Sequence, residues 1–110
     1  MKDDEVYLRH ILDAIEKIET YLHSQTHESL SQNDMMIDAV VRELEIIGEA
    51  TNHLSDQFRA AHPEIPWRDA IDMRNFLIRE YFGVRTHIVW DTCQNDLPLM
   101  KELIDRLLSA

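Results

Sequence analysis

The sequence predicts an all-α fold, an antiparallel up-and-down bundle of four to five helices. Two observations carry this. Glycine occurs only twice and proline three times in 110 residues, while Leu, Ile, Ala, Glu and Asp dominate, a composition that favours helices and leaves little for hairpin turns. Apolar residues also recur at spacings of three and four over two long stretches, the period of a helix with one buried face. A chain of this length forms one core, close to the size at which dimerisation helps, so residues 1–110 are read as a single domain.

Leu8, Ile11, Ile15, Ile18 and Leu22, widened by Tyr7, Ala14 and Tyr21, give a first helix from about Asp4 to His23. Residues 24–34 are rich in Ser, Gln, His and Asn and read as a loop. Ile37, Val40, Leu44, Ile47, Thr51 and Leu54 keep the same spacing through a second helix, roughly Gln32 to Leu54, which should pack on the first as an antiparallel hairpin. Gly48 interrupts this helix at a cost of up to ~1 kcal/mol relative to Ala. Close backbone approach to a neighbouring helix or a partner subunit is the expected return. Residues 55–66 form a connection with one short helical turn, Asp56 to Ala61. Pro66 suits the first turn of the next helix, where its missing N–H is no loss. That helix runs from Trp67 to about Phe82, and Gly83 can end it in a left-handed cap. Ile88, Val89 and Trp90 begin a further helix, Asp96 and Pro98 mark a kink or restart, and Leu99, Leu103, Ile104 and Leu107 carry its apolar face.

The net charge of −10 argues against a general nucleic-acid binder, because phosphate repels such a surface at long range. The charge is uneven. Residues 1–50 hold four basic side chains against twelve acidic ones, whereas residues 68–85 hold Arg68, Arg74, Arg79 and Arg85 against Asp69, Asp72 and Glu80. Such a cluster is either a solvated helix face with ordinary ion pairs or a local phosphate site on an acidic body. No apolar run approaches the ~18 residues needed to span a bilayer. The N-terminus, Met-Lys-Asp-Asp-Glu, is acidic where a signal peptide is basic and apolar. The lone Cys93 can form no internal disulfide. A soluble cytoplasmic protein is expected.

The segment Met73 to Tyr81, Met-Arg-Asn-Phe-Leu-Ile-Arg-Glu-Tyr, concentrates the chemistry. At 100° per residue Tyr81 lies about 20° from Arg74, two turns along, with Ile78 about 40° away. Asn75 and Arg79 form a neighbouring stripe, and Ala70, Met73 and Leu77 point toward the core. Two arginines on a half-polar face suit a phosphate, since guanidinium offers planar, bidentate donors. The motif's flanks are distinctive: Arg42 to Ala50 (Arg-Glu-Leu-Glu-Ile-Ile-Gly-Glu-Ala), Pro63 to Asp69, Tyr81-Phe82-Gly83-Val84, and Ile88 to Thr92 with Gln94 to Pro98. Over about Tyr7 to Leu108 the chain resembles the HepT-like branch of the HEPN superfamily, small helical toxins paired with a nucleotidyltransferase antitoxin.

That resemblance implies a homodimer whose two motif copies meet in a cleft and cut RNA without a metal, in a type VII toxin–antitoxin system. It implies no cofactor. Arg74 would stabilise charge on phosphate, Asn75 would orient it, and Tyr81 would accept AMP from a minimal nucleotidyltransferase antitoxin, blocking the cleft. The family's motif is Arg, four residues, His, any residue, Tyr. Here Arg79 stands where the proton-transferring His belongs. A guanidinium stays protonated at neutral pH, so it can bind phosphate but cannot alternate between acid and base. Losing general acid–base catalysis costs ~10²–10⁴-fold. The chain is therefore expected to be a weakened or inactive ribonuclease. Arg85 likewise stands where an acidic residue is expected.

His10, His23, His27, His53, His62 and His87 show no metal-ligand spacing. His87 lies beyond the Gly83 break, and Cys93 reads as a buried thiol. Trp67 and Trp90 read as packing anchors. The rival to a nuclease is a non-catalytic module that docks a nucleotidyltransferase and presents Tyr81 or a nucleotide to it. A helical dimer without catalytic function is the third reading.

Overall fold

The computed structural model describes residues 2–79 and 86–109. Among these the chain is helical, without a strand. The long helices are α1 (Lys2–Leu22), α3 (Asp34–His53), α5 (Trp67–Arg79) and α7 (Leu97–Ser109). The short ones are α2 (His27–Ser31), α4 (Asp56–Ala61) and α6 (Thr86–Asp91).

The apolar stripe of α1 is buried throughout: Leu8, Ile11, Ala14, Ile15, Ile18 and Leu22 all lie in the core. Its partner stripe on α3, Val40, Leu44, Ile47 and Thr51, is buried against it, with Ile37 packed at the margin. Thr51 tolerates full burial because its hydroxyl donates to the Ile47 carbonyl at 2.7 Å. The two helices run antiparallel. Asp4 at the start of α1 reaches Ser55 just past the end of α3, and Tyr21 near the end of α1 lies with Asn33 and Met36 at the start of α3.

Asp4 is a buried carboxylate, 2% exposed. It accepts from the Ser55 backbone N–H at 2.8 Å and from the Ser55 hydroxyl at 3.0 Å. Ser55 Oγ in turn accepts from the Phe58 N–H at 3.1 Å and so caps α4. The acidic first turn of α1 thus fixes the entry to a helix 51 positions away.

One expectation needs correction. Residues 24–34 are not all loop, because α2 forms there. Thr26 Oγ1 accepts from Ser29 N at 3.1 Å while Ser29 Oγ accepts from Thr26 N at 2.8 Å, a reciprocal cap, and Leu30 is fully buried beneath it. The second long helix, expected from roughly Gln32, starts at Asp34, where Asn33 Oδ1 accepts from Met36 N at 3.0 Å and caps it. Where Asp96 and Pro98 mark the expected kink or restart, the helix changes form between α6 and α7. A five-residue π segment, Thr92–Asp96, joins them, with the Leu97 N–H bonded to the Thr92 carbonyl. Pro98 can donate nothing to the carbonyl four residues back, and its ring crowds it. Widening the preceding turn by one residue absorbs that conflict while the helix continues.

The short helix expected at Asp56–Ala61 is present as α4. Pro66 sits immediately before α5, its carbonyl accepting from the Ala70 N–H at 3.3 Å. Trp67 is buried beneath that turn, and its indole N–H donates to the His62 carbonyl at 3.0 Å. The cap expected at Gly83 lies outside the described residues, as do Tyr81 and Arg85.

Candidate functional site

The site is built where α5 crosses α3, and Gly48 makes the crossing possible. A Cβ placed on Gly48 would lie 2.2 Å from Arg74 Cβ, 2.8 Å from the Ala70 carbonyl oxygen and 2.9 Å from Arg74 Cγ. No other residue fits without parting the helices. The close approach expected at Gly48 is therefore to a neighbouring helix, and the atoms it meets belong to the motif arginine itself.

With its stem pressed on α3, Arg74 is half-buried, its side chain 31% exposed. Nη1 donates to Asn75 Oδ1 at 3.1 Å, and Nη2 pairs with Glu49 Oε2 of α3 at 2.8 Å. The other oxygen of Glu49 lies 3.0 Å from His53 Nε2, one helical turn further along α3. The His53 ring stacks on Tyr7 of α1, centroids 5.1 Å apart and planes 14° from parallel. A polar chain thus runs His53–Glu49–Arg74–Asn75 across α3 and α5, with Tyr7 of α1 stacked on its first ring. Sequence reading assigned no role to Glu49 or His53. The available signal was the adjacency of a packing glycine to an acid, with a histidine at the i+4 position.

Of the residues expected at the site, Arg74 and Asn75 touch each other. Arg79 is exposed as the last residue of α5, about 140° around the helix from Arg74. The arginine cluster is not uniform. Arg68 is 84% exposed and pairs with Asp72 one turn along at 3.1 Å, an ordinary surface contact. Arg74 alone among the arginines of α5 pairs with another helix among the described residues. Ile78, between Arg74 and Arg79, is 49% exposed.

The core-facing side of α5, next to the Arg74 stripe, borders a small cavity of about 30 Å³, lined by Ala70 and Met73 with Leu44 and Ile47 of α3 and Thr92 and Met100 beyond. Asp69 and Asp96 stand at its edge. Burial first, and then the charges of Asp69 and Asp91, push the Asp96 carboxyl above its usual range. Cys93 is buried nearby, and its thiol is pushed up to about 12, by burial first and then by Asp96. A thiol that stays protonated at neutral pH is no nucleophile. The cavity is apolar and has room for little more than a water. The chemistry lies on the Arg74 face.

The family model for "Ribonuclease HepT-like" proteins matches residues 11–107 of this sequence. The chain belongs to the HepT-like ribonuclease family. This HepT-like chain is similar to "Probable ribonuclease HepT" of Thermococcus cleftensis, 41% identical over 101 residues that make up 92% of each protein. It is also similar to "Gamma-glutamylcyclotransferase and putative RNase" of Methanocaldococcus jannaschii, 41% identical over 107 residues. That match takes in 97% of this chain but 48% of the relative, so the chain spans about half of that protein's length. No solved structure matches the HepT-like chain. Among its described residues, no helix is long and apolar enough to cross a membrane.

Proposed function

We propose that this chain, as one domain, is a metal-independent endoribonuclease toxin of a cytoplasmic type VII toxin–antitoxin pair, weakened by Arg79. The observation that carries the reading is the Arg74 guanidinium, half-exposed and held from two sides by Asn75 and Glu49. Five N–H donors are more than those two contacts use, and a planar donor set held in place suits the phosphate of RNA. In the reaction the 2′-oxygen bonds to the adjacent phosphorus and the bond to the 5′-oxygen breaks, leaving a cyclic phosphate and a 5′-hydroxyl. One proton leaves the 2′-hydroxyl and one reaches the departing oxygen. Arg74 stabilises the charge developing on the phosphate oxygens, and Asn75 keeps the guanidinium in plane. The proton transfers fall to position 79, where a guanidinium cannot perform them.

One helix presents only half a cleft, and a second copy of the chain completes it. Exposed Ile78 between Arg74 and Arg79 supports such a pairing, since a twofold contact there covers an apolar side chain and brings four arginines to one groove. Tyr81 is the proposed acceptor of AMP from a minimal nucleotidyltransferase antitoxin. Its phenolic oxygen bonds to the α-phosphorus of ATP, pyrophosphate leaves and the phenol proton goes to solvent. The added phosphate would then occupy the arginine groove in place of RNA. The non-catalytic alternative, a module that docks the nucleotidyltransferase, is favoured by Arg79 alone.

RNA cleavage by the chain and by Arg79→His distinguishes the two readings. The nuclease reading expects the variant to gain at least the lower end of ~10²–10⁴-fold, and equal rates refute it. Co-expression of the Arg79→His chain with the cognate nucleotidyltransferase is expected to add the mass of AMP less one water, absent in the Tyr81→Phe version. An unchanged mass refutes the proposed modification.

A further inference from the structure

We infer that Glu49 is a positioning residue for Arg74, and that His53 fixes Glu49 in that task. The inference rests on the proposed phosphate role of Arg74, but its geometry stands alone. Gly48 seats the Arg74 stem on α3, and the next residue along α3 delivers its carboxylate to the guanidinium. Both carboxylate oxygens are engaged, Oε2 at 2.8 Å from Arg74 Nη2 and Oε1 at 3.0 Å from His53 Nε2. Tyr7 stacks on the His53 ring, and His10 meets Tyr7 edge-on with centroids 5.8 Å apart. Glu49 is therefore not a swinging surface acid, although its side chain is 48% exposed.

An isolated pair at this exposure contributes little to stability. Its effect is on direction. A long arginine side chain samples many rotamers, and a carboxylate on one side with Asn75 Oδ1 on the other holds the guanidinium plane while leaving donors for an incoming phosphate. The same carboxylate places negative charge beside the phosphate site, which weakens ground-state attraction for RNA. Removing Glu49 should therefore lower kcat without raising KM, a split that simple loss of a binding contact does not give.

The experiment has two arms. In Arg79→His protein, Glu49→Ala is expected to lower kcat at least tenfold with KM unchanged or reduced. Glu49→Gln, whose amide oxygen still accepts from Arg74, should recover most of the loss. A kcat for Glu49→Ala within twofold of its parent overturns the inference. The second arm needs no activity: side-chain ¹⁵N NMR of the chain as it stands, with the Arg74 signal assigned by its loss in Arg74→Lys. Rotation of the Arg74 guanidinium should be slow in the parent, fast in Glu49→Ala and intermediate in His53→Gln. Equal rotation in parent and Glu49→Ala overturns the inference. An Arg79→His protein that cuts no RNA while this arm gives the expected contrast refutes the nuclease reading and leaves the Glu49 clamp standing. Circular dichroism of each variant confirms that the helices are intact.

Discussion

Replacing Gly48 by alanine tests the helix crossing on which the site depends. The new Cβ would lie 2.2 Å from Arg74 Cβ and 2.8 Å from the Ala70 carbonyl oxygen. Carbon atoms pack at ~3.5–4.0 Å, so α3 and α5 must part by about 1.5 Å at this point. Neither neighbour is the free end of a flexible side chain, so the strain cannot be relieved by a rotamer change. Overpacking of this kind costs ~1–3 kcal/mol, occasionally more. Alanine returns up to ~1 kcal/mol through its better helix propensity. The clash is severe enough to put the cost at the upper end, leaving a net loss of about 1–2 kcal/mol. For a domain of this size that lowers the melting temperature by at least ~4 °C. Thermal unfolding followed by circular dichroism at fixed protein concentration measures it. A Gly48→Ala protein melting at or above the parent temperature refutes the claim that this glycine exists for close approach.

Other substitutions test the fold and its titrating groups. Asp4→Ala leaves the Ser55 N–H without its 2.8 Å acceptor, and urea unfolding should show a loss of ~1–3 kcal/mol, with Asp4→Asn losing less. Cys93, its thiol pushed up to about 12 by burial, should resist alkylation at pH 8 in the folded protein and react fully after denaturation. Asp96 is raised by burial, then by Asp69 and Asp91, so its proton is held more tightly folded than unfolded and its charge opposes folding above its folded pKa. Asp96→Asn should therefore melt higher than the parent at pH 7, and the gap should narrow as pH falls through the carboxylate range.

The long helices were legible because a buried stripe repeats with the helical period, and Leu8 to Leu22 and Val40 to Thr51 do so. Helix α2 was not, because five residues are too few for a period. Its formation rests on a reciprocal cap between Thr26 and Ser29 within a polar stretch. Asp4 read as one more acid in a first turn, and nothing local reveals a partner 51 residues away. Asp96 and Pro98 read as a kink or restart because proline disrupts a helix interior, but nothing local showed that the change would take the form of a π segment. At the site, Arg74 and Asn75 were named from the motif, but periodicity could not separate Arg74, bound to α3, from Arg68, paired on the surface. That distinction, and with it Glu49, follows from the α3–α5 crossing. Gly48 announced the crossing without saying which residue would lie across it.

Metal-free RNA turnover by Arg79→His, compared with the unaltered chain and with Arg79→His carrying Arg74→Ala, tests the central claim most directly. A single-stranded RNA is incubated with each protein in excess chelator, and the product ends are identified. The account predicts cleavage to a cyclic phosphate by Arg79→His, at least ~10²-fold faster than by the unaltered chain, and its loss when Arg74 is removed. Cleavage that is equally fast in all three proteins, or none in any, would contradict it.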